Sequence, residues 1–158
     1  MEHKIVEKEE FVVVGMPVKV SLKEEGYKKN ITDLWKKFIP KAWEIKTRKS
    51  GLFFGICNAL EGIEGDECSF EYMACVEVDN INNLPNEMKS QVVPKAKYFV
   101  VTHKGKLENL GKTYCELEKE MKALNFEEDK TKIWLEIYDE RFKENSDDSE
   151  FDIYSPLK

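Results

Sequence analysis

The alternation of apolar and polar residues along the chain predicts two copies of one strand–helix–strand–strand unit. Each copy opens on a run rich in β-branched and aromatic residues, 11–14 in the first copy and 99–102 in the second. A segment with helical spacing follows in both copies and carries an aromatic residue in the same slot: Ile31, Leu34, Trp35 and Phe38, then Leu110, Thr113, Tyr114 and Leu117. We therefore expect an amphipathic helix after each opening strand.

Two further strands are expected to close each copy. They are residues 52–57 and 69–76 in the first copy, and 132–138 and 151–157 in the second. A polar loop with Gly62 and Gly65 joins the first pair, and the acidic loop 143–150 joins the second. Residues 79–94 between the copies suggest a short helix or an irregular connector.

This pattern predicts an α+β fold made of one domain, residues 1–158, since 158 residues suit a single core. The first repeat covers about residues 5–78 and the second about 95–158. Duplicated βαββ units imply a mostly antiparallel sheet with the helices packed on it, and a central ligand cleft where the copies meet.

The strand at 132–138 has two different faces. Ile133, Leu135 and Ile137 form an aliphatic face, which we expect to pack on the helices. The other face carries Glu136 between Trp134 and Tyr138. A buried carboxylate is costly, and a plain solvent-facing strand rarely holds two such large aromatics, so a semi-enclosed cleft suits this triplet best.

Overlaying the two repeats places Gly55 opposite Glu136 and adds Phe53 to the cleft. Met73 and Tyr154 on the last strand of each copy are further candidate walls. Gly55 either leaves space for a ligand beside the carboxylate or marks a bend in its strand.

A carboxylate within an aromatic box attracts cationic or strongly polarised planar ligands. The predicted ligand-binding set is therefore Glu136, Trp134, Tyr138, Phe53, Gly55, Met73 and Tyr154. The alternative is an exposed sheet on which Glu136 pairs with Lys104, Lys106 or Arg141.

Charge and composition narrow the classes of partner. The net charge of −6 argues against direct nucleic-acid binding, and the lysine-rich region 28–49 fits a solvated helix face. No apolar stretch reaches the length of a signal peptide or a membrane span, so we expect a cytoplasmic protein that does not enter a membrane.

Other chemistry has little support in the sequence. Cys57, Cys68, Cys75 and Cys115 lack CxxC spacing and read as reduced, mostly buried thiols, with no metal and no cofactor predicted. His3 in a frayed terminus and His103 in a turn have no evident nucleophilic partner. The glycines within residues 61–66 do not form a phosphate loop.

Several short motifs together resemble the GyrI-like domain, found in stand-alone bacterial proteins and in the effector-binding halves of AraC-type and MerR-type regulators. They include Leu34-Trp35-x-x-Phe38, Phe54-Gly55, Tyr72-x-Ala74-x-Val76, Thr113-Tyr114, Glu136-x-Tyr138 and the ending 153–158. The resemblance spans nearly the whole chain. It implies a duplicated βαββ fold with pseudo-twofold symmetry, a central hydrophobic cleft, and contact between Glu136 and ligands that are often lipophilic cations.

Three functions remain open from the sequence. The first is a stand-alone binder of aromatic or cationic small molecules, because no DNA-binding segment is recognised before Phe11 or after Leu157. The second is a hydrolase of strained electrophilic natural products, with Glu136 and Tyr138 as catalytic residues. The third is a gyrase-inhibitor type of protein partner, bound through the acidic segment 144–150.

Overall fold

A computed structural model describes residues 1–21, 23–59 and 69–158. Over these ranges the chain forms eight strands and two α-helices, and a 3₁₀ turn at Leu107–Asn109 precedes the second helix. The elements are β1 Lys4–Lys8, β2 Phe11–Ser21, α1 Tyr27–Ala42, β3 Phe53–Ala59, β4 Ser69–Val78, β5 Lys89–Val93, β6 Ala96–Lys104, α2 Leu110–Ala123, β7 Trp134–Tyr138 and β8 Glu150–Pro156. The predicted α+β class is confirmed.

The strands form one antiparallel sheet in the order β1-β6-β8-β7-β3-β4-β2-β5. Exchanging each strand with its counterpart four positions along the chain gives the same order read backwards. A pseudo-twofold axis therefore passes between β3 and β7, which confirms the duplicated arrangement.

Each copy has one strand more than the sequence pattern predicts. β1 pairs with β6 of the second copy, and β5 pairs with β2 of the first, so the copies exchange their outer strands. We expected a helix or an irregular connector between the copies, but Lys89–Val93 forms a strand. We also expected a frayed N-terminus, but the chain is in a strand from Lys4 onwards. Both are edge strands rich in polar side chains, and their weak apolar pattern hides them.

Both helices lie on the same face of the sheet. Leu34 and Phe38 of α1 pack against Tyr72 of β4, within a cluster confined to the first copy. Leu117 and Met121 of α2 pack in a second cluster that includes Phe99, Phe151 and Ile153. Trp134 and Tyr138 contact this second cluster, so the helices cover the aromatic face of β7.

The aliphatic face of β7 points away from the helices, contrary to expectation. Leu135 and Ile137 belong to a buried cluster that contains strand residues from both copies and no helical residue. Strand alternation shows which side chains share a face, but it cannot say which face the helices cover.

Strong curvature lets the helix-free face bury itself. The side-chain amides of Asn58 on β3 and Gln91 on β5 exchange hydrogen bonds of 3.0 and 2.8 Å. In a flat sheet these strands would stand about 14 Å apart, because β4 and β2 lie between them. The sheet therefore coils until its own strands close this core.

Candidate functional site

Glu136 lies at the junction of the two copies, on the face covered by the helices. In the β3–β7 pair Gly55 stands opposite Glu136, Phe53 opposite Tyr138, and Cys57 opposite Trp134. The predicted opposition of Gly55 and Glu136 is thus present in the structure. The pseudo-twofold axis runs close to this residue pair.

Three tyrosine hydroxyls donate hydrogen bonds to the carboxylate of Glu136. Tyr72 and Tyr138 donate to Oε1 at 2.9 and 3.1 Å, and Tyr114 donates to Oε2 at 2.7 Å. Trp35 Nε1 donates to the Tyr72 oxygen at 3.0 Å. The side chain is only 6% exposed, so phenols rather than water satisfy the carboxylate.

Among the described residues, no cation pairs with Glu136. Arg141 binds Asp139 and Asp152 at 2.9 Å, and Lys104 lies 3.9 Å from Glu150. Lys106 has no ion pair in the described ranges. The alternative of an exposed, ion-paired Glu136 is therefore wrong.

Burial raises the pKa of Glu136, while the hydrogen bonds from Tyr114, Tyr72 and Tyr138 lower it, and burial dominates. Burial, together with the charge of Glu136, also raises the pKa of each tyrosine hydroxyl well above its usual value. The tyrosines therefore stay protonated and act only as neutral donors. Within the described ranges, no lysine or arginine side chain pairs with the acidic group of this site.

Half-buried aromatic rings surround this group from both helices. The Trp35 ring of α1 meets the rings of Phe53 and Tyr138 edge-on, at centroid distances of 6.1 and 5.4 Å. Tyr114 of α2 lies 5.7 Å from Trp134. Trp35 and Tyr114 occupy the same slot in the two helices, so both copies contribute a ring. We call this set, with Tyr72, the aromatic box.

Two predicted wall residues lie on the wrong face. Met73 stands opposite Ile56, and Tyr154 stands opposite Leu135, so both belong to the helix-free face. Their placement beside Glu136 was wrong because both faces of β4 and β8 carry apolar residues. Ala74 pairs with Gly55, and Tyr72, two residues before Ala74, shares its face of β4. Tyr72 is therefore the β4 residue that lies on the same face as Glu136.

Sequence analysis missed Tyr72, Tyr114 and Trp35 as site residues. The signal for Tyr114 and Trp35 was available, since an aromatic recurs in the same helical slot of each copy. Tyr72 lies on the face of β4 opposite to that of Met73, which we had assigned to the cleft. Its hydroxyl shows its role only once the strand register is known.

Gly55 provides space, but a tyrosine fills it. A Cβ at this position would collide with the hydroxyl of Tyr72 and lie 2.9 Å from Glu136 Oε1. Strand pairing continues without interruption through Gly55 on both sides. The missing side chain therefore allows Tyr72 to reach the carboxylate.

The histidines are more ordered than expected. His103 is fully buried on β6, where its Nε2 donates to the carbonyl of Lys106 at 3.0 Å and its Nδ1 lies 2.7 Å from Thr113 Oγ1. His3 stacks on Phe99 with 4.5 Å between ring centroids. Both residues stabilise local structure. The predictions of His3 in a frayed terminus and His103 in a turn were therefore wrong.

The three cysteines within the described ranges are free thiols. Cys75 is buried and Cys57 is half-buried, but Cys115 is exposed, so it does not follow the expectation of mostly buried thiols. Cys68 and the loop at 61–66 lie outside those ranges. The described part of the chain contains no group of three or more His, Cys, Asp or Glu side chains placed to hold a metal ion. Neither helix described is long and apolar enough to cross a membrane.

Two surface depressions of about 500 and 430 Å³ lie elsewhere on the molecule. No aromatic side chain lines either one; the linings are Lys41, Glu44, Asn83, Pro85 and Asn86 in the first, and Met1, Glu2, Thr102, Lys104, Glu116, Arg141 and Glu150 in the second. The acidic segment 144–150 is held to the turn after β6 by a 2.8 Å hydrogen bond from Gly105 N to Ser149 O, and nothing in its geometry favours a partner. The aromatic box remains the best candidate site.

The doubled antiparallel sheet, the two helices on one face and the aromatic box between them define a GyrI-like effector-binding domain, a class that binds small molecules. The chain belongs to the Cass2 family of integron-associated effector binding proteins, whose model matches residues 4–157. The resemblance drawn from the sequence is thus confirmed.

A curated relative, the transcriptional regulator BrlR of Pseudomonas aeruginosa, is 32% identical over 159 residues. The match covers 99% of this chain but 56% of BrlR, so the chain spans about half the length of that relative.

Solved structures share the fold at lower identity. SAV2435 bound to tetraphenylphosphonium matches with a TM-score of 0.78 and 16% identity, covering 100% of this chain and 94% of that one. An integron cassette protein of Vibrio cholerae matches at 0.70 and 17%, covering 99% and 95%. A hydrolase from Listeria innocua matches at 0.59 and 13%, covering 99% and 92%.

Proposed function

We propose that this protein binds lipophilic aromatic cations in the aromatic box, with Glu136 as the counter-charge. The observation that carries the proposal is a buried carboxylate with three neutral donors and no cation. Trp134, Tyr138, Phe53 and Gly55 keep their proposed roles in ligand binding. A cytoplasmic location belongs to the same proposal.

Physical chemistry favours a cation at this position. Burial penalises the ionised form of Glu136, and a positive ligand offsets that penalty directly. The rings of Trp35, Tyr114, Trp134 and Tyr138 add attraction through their π faces and supply apolar area. The ligand reported for SAV2435, tetraphenylphosphonium, has this combination of charge and aromatic surface.

Access to the carboxylate requires movement of the box. Glu136 is 6% exposed, so a ligand reaches it only when surrounding rings separate. The Trp35 to Tyr72 hydrogen bond of 3.0 Å links α1 to the carboxylate donors and is one contact that must yield. We therefore expect ligand binding to change tryptophan fluorescence.

The test is a titration with tetraphenylphosphonium, followed by calorimetry and tryptophan emission. Glu136→Gln should weaken binding about tenfold or more, because it removes the buried charge and keeps the side-chain shape. Glu118→Gln is the matched control, since it removes the same charge from an exposed position on α2. Equal affinity of wild type and Glu136→Gln would refute the proposal.

A hydrolase of strained electrophiles is the second candidate. The feature in its favour is a carboxyl group of raised pKa with the Tyr138 hydroxyl 3.1 Å away. The three hydroxyls take three of the roughly four acceptor positions of the carboxylate, so a water molecule has a place only at Oε2, which accepts from Tyr114 alone. Product beyond one equivalent per protein from an aryl epoxide, abolished in Glu136→Gln, would establish turnover; stoichiometric binding alone would exclude it.

A further inference from the structure

Arg48 lies between two aromatic rings beside the aromatic box. Its guanidinium carbon is 4.9 Å from the ring centroid of Trp43 and 4.9 Å from that of Phe53. Phe53 is half-buried on the inner side, whereas Trp43 is 72% exposed. The arrangement presents a cation at the edge of the candidate site.

The guanidinium lacks polar partners in the described part of the chain. Its Nε and Nη1 atoms are buried without a hydrogen bond, and among the described residues Ser155 Oγ is the one other buried side-chain nitrogen or oxygen in that state. Burial lowers the pKa of Arg48, and no neighbouring carboxylate opposes the effect. Buried charged donors are normally hydrogen-bonded, so these N–H groups are free to bind an anion.

Phe53 connects Arg48 to Glu136. It stands opposite Tyr138 in the β3–β7 pair, and its ring lies 6.1 Å from Trp35. Gly55, which faces Glu136, is two residues further along β3, at about 7 Å. A continuous aromatic surface therefore runs from a positive group to a negative one.

We propose that Arg48 forms an anion subsite of the same site, so that the preferred ligand is an aromatic zwitterion. Its cationic group meets Glu136, and its carboxylate or sulfonate meets Arg48. This inference rests on the proposed function and specifies its class of ligand. An anion of this kind satisfies the free N–H donors through charge-assisted hydrogen bonds, and the exposed Trp43 ring can swing away to admit it.

The test uses two dyes that differ in one carboxylate: rhodamine B, a zwitterion, and its ethyl ester, a cation. Fluorescence anisotropy should show wild type binding rhodamine B about tenfold more tightly than the ester. Arg48→Gln should abolish this preference, so that rhodamine B and the ester bind with equal affinity. Arg48→Lys, which keeps the charge but loses the planar array of donors, should retain part of the preference.

Controls separate the subsite from general effects. Lys46→Gln removes the same charge from an exposed neighbour and should alter neither affinity. Equal weakening of both dyes in Arg48→Gln would mean that Arg48 only packs the aromatic wall, which overturns the inference. Thermal unfolding of each variant checks that the fold is intact.

The remaining outcomes distinguish this inference from the proposed function. Binding of the ester that depends on Glu136, with no preference for rhodamine B, overturns the subsite and leaves the proposed function standing. Binding of neither dye, or binding that is indifferent to Glu136→Gln, overturns both.

Discussion

At the scale of single residues, the carboxyl group of Glu136 sets the chemistry of the site. Burial raises its pKa in the folded protein, so it holds its proton to a higher pH than in the unfolded chain. This group therefore favours the folded state at low pH, and the contribution is lost as pH rises through the folded pKa. Ionisation costs stability, which a bound cation restores.

Affinity for a permanent cation should depend on pH through this group. Tetraphenylphosphonium does not titrate, so its affinity should rise as pH increases above the ordinary carboxyl value of 4.5 and level off once Glu136 is ionised. Calorimetry in buffers of different ionisation enthalpy should detect proton release on binding below that plateau. Glu136→Gln should give a flat profile, and a flat profile in wild type would contradict the role of the raised pKa.

Gly55→Ala should destabilise the protein by about 1–3 kcal/mol, because the new methyl group displaces the Tyr72 hydroxyl from Glu136. Urea unfolding measures the change. Gly111→Ala in the first turn of α2 is the control, since nothing lies within 4 Å of its added carbon and we expect no loss of stability. Wild-type stability in Gly55→Ala would contradict the close packing described.

At the scale of elements, α2 is fixed to the sheet by a buried histidine. His103 on β6 contacts the Lys106 carbonyl before the helix and the Thr113 hydroxyl within it. Thr113 is followed by Tyr114, which donates to Glu136. His103 therefore positions the helix that delivers one of the three carboxylate donors.

Thr113→Val should destabilise the protein by about 1–3 kcal/mol, since it preserves volume but leaves the buried His103 Nδ1 without a partner. Thermal or urea unfolding would show the loss. Thr32→Val on α1 removes an exposed hydroxyl bonded to its own helix, and we expect a change within about 0.5 kcal/mol. Equal effects of the two substitutions would argue against the anchoring role.

The elements also show what the sequence can specify. Period-two alternation correctly grouped Trp134, Glu136 and Tyr138, and the repeat correctly set Gly55 against Glu136. The assignment of Met73 and Tyr154 to the site was wrong, because both faces of this coiled sheet are buried. Apolar side chains therefore do not indicate which face the helices cover. The edge strands β1 and β5 were not predicted because each pairs with a strand of the other copy. The local sequence pattern does not reveal such long-range pairing.

At the scale of the whole molecule, the exchange of β1 and β5 makes the copies depend on each other. Neither half carries the outer strand that completes its own part of the sheet. The helix-free core likewise draws Phe54 and Met73 from one copy and Tyr98 and Leu135 from the other. Folding of one half should therefore require the other.

Fragments 1–83 and 84–158 should each be largely unfolded alone, as judged by far-UV circular dichroism and NMR shift dispersion. An equimolar mixture should regain the spectrum of the intact chain, because it restores both exchanged strands. The intact chain should unfold in one transition by fluorescence and circular dichroism. A half that folds cooperatively by itself would contradict this dependence.

The register of Gly55 against Glu136 has a consequence for any ligand with two equivalent ends. Directly opposed positions on neighbouring strands lie about 5 Å apart, so a glutamate in both copies would force two carboxyl groups to share one proton. Because glycine takes this position in the first copy, Glu136 is the one carboxyl group between the two copies at this pair, and it need not share its proton. A ligand with two equivalent ends can bind in either orientation, yet only one of its ends contacts the carboxyl group.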